Sequence, residues 1–249
     1  MNLKKLSVAL AAATVLGTSQ ASVVNVGGVS WDPDSGLDLS ATSSLYELPV
    51  TTIGAELKGY GVIEKINGLD NFCAGCELTF TFDSYFLQSY SPFVSPLNPG
   101  SFTFSGGQFN FYVSSVNASA GDVTTYNDGD LWLTLAGSDL GGLLGGITLF
   151  GNGGLPASGS ITGSGTGYLD AIGGLALPYF DTNTVFGADL VYTSSFNPIP
   201  EGPLDDGMTH LGTAAITGDS TSVPEPGVLA LLGLGLAGLG FSRRNKKTA

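Results

Sequence analysis

Three carboxylates at short spacing are the first residues in the chain that could bind a ligand. Asp32, Asp34 and Asp38 lie in a segment with proline and glycine, and carboxylate oxygens in such a loop can converge on one calcium ion. An EF-hand loop beginning at Asp32 would need glycine sixth and glutamate twelfth, whereas the chain has glycine fifth and Ser43 twelfth. The pattern favours a solvated acidic turn, with a calcium site as the alternative.

The other groups that could act in catalysis form no recognisable motif. The single histidine, His210, is interpreted as a surface residue, and Ser164 lies in a glycine-rich turn region rather than in a nucleophile elbow. We therefore predict a protein that is not an enzyme and has no cofactor other than the calcium considered above; a secreted glycoside hydrolase or esterase is the alternative. Four glutamates are available for a two-carboxylate site, although the sequence selects no pair among them: Glu47, Glu56, Glu64 and Glu77.

The elements that would position these groups are β-strands. Glycine, serine, threonine and aromatic residues dominate the middle of the chain, helix signals are nearly absent there, and turn residues recur at short intervals. This pattern predicts one all-β domain, a sandwich or jelly roll in preference to a barrel. Alternation of apolar and polar residues predicts strands at 78–82, 102–104, 108–113 and 131–135. Further candidate strands are 60–66, 147–150, 188–193 and 211–217.

Two local features add to this prediction. Asp128 and Gly129 lie between two β-prone runs, which indicates a hairpin with a type I′ turn. In the second run Trp132 alternates with two leucines, so we expect its side chain to face out of the sheet. The segment 217–222 is short, polar and small, and is predicted to be a flexible tether.

The amino-terminal end is typical of a secretory signal peptide. Lys4 and Lys5 precede an apolar run that is too short to span a bilayer, and small residues follow it. We predict that signal peptidase cleaves between Ala21 and Ser22, which makes 1–21 the signal.

The two cysteines then travel to an oxidising compartment. Cys73 and Cys76 are predicted to form a local disulfide. Reactive thiols or a metal site are the alternatives, but a thioredoxin-like motif needs a βαβ context, and zinc would need more cysteine or histidine ligands than the chain has.

The charge between the two ends is strongly negative. Of the eight basic residues, two lie between the terminal signals, Lys58 and Lys65. Of the 21 acidic residues, all but Glu225 lie there, so the net charge of this region is 2 − 20 = −18. Such a domain repels nucleic acid and anionic lipid headgroups, so nucleic acid is excluded as a partner.

The carboxyl-terminal end has three parts in a fixed order. A Val-Pro-Glu-Pro segment at 223–226 precedes an uncharged apolar span at 227–241, and a basic cluster follows at 243–247. The span covers about 22 Å as a helix, less than the hydrocarbon core of about 30 Å, so it can insert only transiently. The basic cluster would stay on the cytoplasmic side. The residues predicted to carry the signal are Pro224, Glu225, Pro226, Arg243, Arg244, Lys246 and Lys247.

This tail resembles the PEP-CTERM sorting domain. The resemblance covers 223–247 and implies a substrate of exosortase, a multi-pass inner-membrane transpeptidase of Gram-negative bacteria that make extracellular polysaccharide. It implies transient insertion of a short transmembrane helix in the inner membrane, removal of the tail, and a destination at the cell surface or in the extracellular matrix. An ordinary single-pass anchor is the alternative.

Together these features predict a signal peptide at 1–21, an extracellular all-β domain at 22–222 and a sorting signal at 223–249. By the resemblance, we expect a structural or adhesive component associated with exopolysaccharide or biofilm. A calcium-assisted carbohydrate-binding module is the alternative, and a secreted hydrolase is the second alternative.

Overall fold

Strands make up nearly all of the regular structure. The computed structural model describes residues 23–36, 38–92, 100–154 and 161–221. The elements are β1 (Val24–Val26), β2 (Val29–Trp31), β3 (Leu39–Leu48), β4 (Glu56–Ile66), β5 (Glu77–Ser91), β6 (Gly100–Ser114), a 3-10 helix (Val123–Tyr126), β7 (Asp130–Ser138), β8 (Leu149–Gly154), β9 (Thr162–Gly173), α1 (Leu177–Phe180), β10 (Leu190–Pro198) and β11 (His210–Gly218).

Nine of these strands form one antiparallel sheet that closes on itself. The order runs from β3 through β4, β5 and β6 to β7 and β9, and β10 pairs with both β9 and β11. Because β11 also pairs with β3, the first and last strands of the sheet are joined and neither is left as an open edge. The all-β prediction is confirmed. The two sheets expected of a sandwich are joined along both edges into one closed sheet.

β7 and β8 together occupy the place of one strand. β7 pairs with 108–113 of β6, and β8 pairs with 100–104 of the same strand. The excursion at 139–148 between them is held by Asp139, whose carboxylate accepts the N–H groups of Gly142 and Gly146 at 2.9 and 3.2 Å. The closed sheet therefore has eight strand positions, one of them interrupted.

The interior is filled mainly by aromatic side chains. Phe80, Phe82, Phe109 and Phe111 from β5 and β6 pack with ring centroids 5.2 to 6.3 Å apart. At Gly61 on β4 a Cβ would lie 2.6 Å from the Phe80 ring. This position therefore requires glycine, because any side chain would displace the neighbouring aromatic ring.

A β-bulge in β7 changes which of its side chains are buried. Phe111 is opposite Leu133 and Tyr112 is opposite Leu131, which leaves Trp132 as the extra residue. Trp132 is 1% exposed and Leu131 is 42% exposed. The prediction that Trp132 faces outward is wrong, because the bulge shifts the alternation by one residue.

The predicted hairpin at 123–135 is replaced by a loop that covers the outer face of the sheet. Val123–Tyr126 form the 3-10 helix, whose first turn is capped by the carboxylate of Asp122. The ring of Tyr126 packs 4.2 Å from that of Tyr60, which is wholly buried. The hairpin prediction is wrong. The segment before Asp130 does not pair as a strand, because Asp122 caps a 3-10 helix there and Tyr126 of that helix is buried against Tyr60.

The two ends of the closed sheet differ. Loops 67–76 and 174–189 lie at the end where β3 begins and β11 finishes, which we call the basal end, and loop 115–129 starts and ends there but crosses the outer face to contact loop 199–209. Loops 49–55 and 199–209 lie at the opposite, distal end. The first and last described segments of the chain therefore meet at the basal end.

Candidate functional site

Four aromatic rings close the basal end of the interior. Trp31 lies 5.9 Å from Trp132, 5.4 Å from Tyr179 and 5.1 Å from Phe180, measured between ring centroids. The indole N–H of Trp132 donates to the carbonyl of Val26 at 2.9 Å, which ties the β1–β2 hairpin to the sheet. This end of the molecule is therefore a packed floor rather than an opening.

Residues 219–221, which we call the C-terminal strap, are bound to this floor. The backbone N–H and the hydroxyl of Ser220 donate to Oδ2 of Asp38 at 2.7 and 3.1 Å. The indole N–H of Trp31 donates to the Ser220 hydroxyl at 3.0 Å, and the N–H of Thr221 donates to the carbonyl of Tyr179 at 2.8 Å. The prediction of a flexible tether is wrong up to residue 221, because these long-range bonds hold the segment in place.

The three aspartates considered as an alternative calcium site do not form a metal-binding group in the described residues. Asp38 is buried and its carboxylate is used by the strap, while Oδ1 of Asp32 accepts the N–H of Asp34 at 3.0 Å in a local turn. In the part of the chain that the structure describes, no group of three or more His, Cys, Asp or Glu side chains is placed to hold a metal ion. Asp38 thus acts as a structural anchor for the strap.

The cysteines lie in the β4–β5 loop at the basal end. Cys73 and Cys76 are joined by a disulfide, and no free cysteine is present among the described residues. The loop turns at Gly75, whose φ of +77° is favourable for glycine. The backbone of Cys73 also pairs with that of Val29 in an isolated antiparallel β-bridge, so the disulfide loop supports the start of β2.

The predicted processing sites lie outside the described residues. These are the cleavage site at Ala21 and Ser22, the apolar span at 227–241, and the sorting residues Pro224, Glu225, Pro226, Arg243, Arg244, Lys246 and Lys247. Among the described residues, no helix has the length and apolar character needed to cross a membrane.

The distal half of the interior contains a small cavity with one carboxyl group. It measures about 30 Å³, which is room for one or two water molecules, and its lining is almost wholly apolar. Glu47 on β3 lines this cavity and is 4% exposed, and no hydrogen bond to its carboxyl group is found among the described residues. Desolvation raises the pKa of Glu47 to about 8, so the group is protonated at pH 7.

The sequence contained a signal for this burial. Leu39, Ala41, Leu45 and Glu47 occupy alternate positions of β3, and all face inward. A glutamate that continues an apolar alternation is expected on the buried face. Among the residues that line the cavity, Glu47 is the single carboxylate, so the cavity lacks the pair of acids that a glycosidase needs.

The other glutamates have structural or solvent-exposed positions. Glu77 Oε1 accepts the N–H groups of Asn117 and Ala118 at 2.9 and 2.8 Å, which fixes the loop after β6. Glu56 Oε1 accepts the N–H of Ser84 at 2.9 Å, and Glu64 is exposed on the outer face.

His210 is buried, and its prediction as a surface residue is wrong. Its Nε2–H donates to the carbonyl of Ile161 at 2.9 Å, and Nδ1 is 2.8 Å from the hydroxyl of Thr209. Burial lowers the pKa of His210, although the bond to Ile161 opposes that shift. Its ring therefore links β11 to Ile161, the residue before β9. Ser164, the other candidate considered, lies exposed on the outer face of β9.

The outer face of β3, β8, β9, β10 and β11 is nearly free of charge. Asp170, toward the basal end of β9, is the one charged side chain among the outward-facing residues of these strands. Hydroxyl groups predominate instead, and an open groove of about 480 Å³ runs across β3, β11 and β10. The outward side chains that line this groove are Thr42, Glu64, Thr193, Ser195, Thr213 and Ala215.

The tail that follows the strap matches a known family. The family model of the PEP-CTERM protein-sorting motif matches residues 222–244. The motif indicates an exported, cell-surface-directed protein that is sorted by exosortase. No curated protein and no solved structure matches the chain.

Proposed function

We propose that this chain, which carries the PEP-CTERM sorting motif, is a non-enzymatic structural or adhesive component of the cell surface that associates with uncharged extracellular polysaccharide. The observation that supports this role is the hydroxyl-rich outer face described above. This face carries one carboxylate, Asp170, and Glu64 of β4 borders its groove, in a domain whose net charge is −18. An acidic polymer would be repelled by the rest of the surface, whereas a neutral one would not.

The groove on this face has the hydrogen-bonding character that a sugar chain requires. Thr193 of β10 is opposite Ala215 of β11, and Ala215 is opposite Thr42 of β3. These three side chains form a row across three strands, with a threonine hydroxyl at each end. On the neighbouring row the hydroxyls of Ser195 and Thr213 lie 3.1 Å apart. Each hydroxyl can donate one hydrogen bond and accept others, which matches the hydroxyl groups of a polysaccharide.

Neither alternative function has a comparable basis in the described residues. A calcium-assisted module would need a cluster of ligands, and Asp32, Asp34 and Asp38 are not brought together. A glycoside hydrolase would need a second carboxyl group beside Glu47, and no other residue that lines its cavity has one.

Binding to insoluble polysaccharides tests the role of the face. The protein should sediment with a neutral glucan and much less with an acidic polysaccharide of similar chain length. The double change Thr193→Glu with Thr213→Glu adds two charges to the groove and should abolish sedimentation. The matched control Thr51→Glu with Thr52→Glu adds the same charge to an exposed distal loop and should leave it unchanged. Equal loss in both variants, or no binding by the parent, would refute the proposed association.

Sorting is tested separately by the mass of the mature carboxyl terminus. In a host with exosortase, the parent should lose its basic cluster, and a variant with Pro224, Glu225 and Pro226 changed to Ala should stay full-length in the membrane. If the parent keeps its basic cluster and this variant reaches the same location, the tail is an ordinary anchor.

A further inference from the structure

The short distance between the folded domain and the sorting motif constrains where sorting can occur. Thr221 is the last residue of the strap, and Ser222 and Val223 separate it from Pro224. Three extended residues span about 10 Å at most. An enzyme that acts on the Pro-Glu-Pro segment of the folded protein must therefore approach the basal end closely.

The basal end also carries most of the exposed apolar side chains. Of the twelve large apolar residues that are exposed among the described residues, seven lie at this end. Phe186 is 81% exposed and Leu69 is 61% exposed, both in basal loops. We call six of these seven residues the basal apolar patch: Leu69, Val116, Leu131, Ile172, Leu175 and Phe186. The seventh, Val23, is the first described residue and is not included.

Three members of the patch lie on neighbouring elements. Leu131 is the second residue of β7, Ile172 lies near the end of β9, which pairs with β7, and Leu175 follows on the next turn. The turn is fixed because the N–H of Ala176 donates to the carbonyl of Trp132 at 2.8 Å. Exposed apolar groups at such a fixed position are typical of a surface that contacts a partner.

The charges around the patch decide between a lipid surface and a protein. Asp70 and Asp130 are exposed and adjacent in sequence to Leu69 and Leu131, and the described residues include just two basic side chains. A bilayer surface with anionic headgroups would be repelled by these carboxylates. A protein surface with apolar and basic side chains would be complementary to them.

We propose that the basal apolar patch is the docking surface for the sorting enzyme. Because Ser222 and Val223 alone separate the strap from Pro224, an enzyme that acts on the tail contacts the folded domain at this end. This inference rests on the sorting function and adds a second recognition element to it. It predicts that processing depends on residues far from the motif in sequence.

Matched pairs of exposed residues provide the test. In the full chain, Leu69→Ser with Phe186→Ser removes apolar area from the basal patch. The control Ile53→Ser with Leu143→Ser removes equally exposed side chains, 59% and 78% exposed, away from the basal end. We expect the patch variant to be processed about tenfold more slowly than the parent, the effect of losing one or two contacts of a docking surface, and the control to be unchanged. Equal rates for parent and patch variant would overturn the proposal.

A longer connection distinguishes docking from a general defect. Ten Gly-Ser residues inserted after Thr221 span about 17 Å and allow the motif to reach the enzyme without the basal end. In this background the difference between the patch variant and its parent should shrink. If the patch variant stays as slow as before, the patch acts through something other than docking, and the proposal fails.

A photo-crosslinking experiment identifies the occupant. With Leu175→p-benzoylphenylalanine in the full chain we expect an adduct with exosortase, and none with Ile53→p-benzoylphenylalanine. Adducts with lipid alone would show that the bilayer is the occupant and would overturn the proposal. The sorting function is judged separately: it fails if the parent is not processed, whereas the docking surface fails if parent and patch variant are processed alike.

Discussion

The change Glu47→Gln tests the most unusual group in the interior. The carboxyl group lies against an apolar cavity, and no hydrogen bond to it is found among the described residues. Desolvation raises its pKa from the ordinary value of 4.5 to about 8. Glutamine has nearly the same shape as the neutral acid and cannot ionise, so the change removes the titration and little else.

The magnitude follows from the difference in pKa between the folded and unfolded chains. Below pH 4.5 the group is protonated in both states and costs nothing. Between pH 4.5 and 8 the unfolded chain ionises while the folded chain does not, so the free energy of unfolding falls by about 1.4 kcal/mol per pH unit. The loss reaches about 3 kcal/mol at pH 7 and about 4 kcal/mol at pH 8, where half of the folded chains have ionised, and it levels off at about 5 kcal/mol one pH unit higher.

Urea unfolding at pH 5, 6, 7 and 8 measures this effect. The wild-type free energy of unfolding should fall relative to that of Glu47→Gln by the amounts above, so that the variant is more stable at pH 7. His210 contributes with the opposite sign, because burial lowers its pKa, but its contribution is common to both proteins. Glu64→Gln, which makes the same chemical change at an exposed position on the outer face, is the matched control variant. Parallel curves for wild type and Glu47→Gln across this range would refute the reasoning.

Three further changes test the structural assignments by urea unfolding and hydrogen exchange. Replacing both Cys73 and Cys76 by Ser should lower the free energy of unfolding by less than about 2 kcal/mol, because the disulfide closes a very short loop; failure to fold would contradict this. Gly61→Ala should cost at least about 2 kcal/mol, because a Cβ would overlap the carbonyl oxygen of Ser44, and a neutral effect would show that the strand can move. Asp38→Ala should speed amide exchange in the C-terminal strap while the central strands stay protected, and unchanged exchange there would mean that the carboxylate does not hold it.

Alternation was sufficient to predict most strands. Phe80 and Phe82 alternate with threonine in β5, and both are buried as the pattern requires. The glycines of β9 were expected in turns and bulges, but Gly163, Gly165 and Gly167 alternate within the strand and face inward. At Gly163 a Cβ would lie 2.7 Å from the ring of Phe196, so packing space rather than turn geometry explains the glycine. Local patterns cannot reveal this reason, because the residue that fills the space is distant in sequence.

Features that depend on distant partners were not predictable. The bulge that buries Trp132 is set by its pairing with β6, and the same run of residues without a bulge would place the ring outside. The strap looks like a linker in sequence, and Ser220 becomes ordered through Asp38, which is 182 residues away. Sandwiches and closed sheets share the same alternation, so the pairing of β3 with β11 could not be inferred from it.

That pairing links completion of the fold to the position of the sorting motif. β11 lies between β10 and β3, so the sheet remains open until the residues up to Gly218 have joined it. The strap then binds Trp31 and Tyr179 over the next three residues, and the matched motif begins at residue 222. In a chain exported from its amino end, the last strand of the sheet and the sorting motif therefore leave the cytoplasm within a few residues of each other. A short strap is compatible with this order, because its last residue, Thr221, directly precedes the matched motif in the chain.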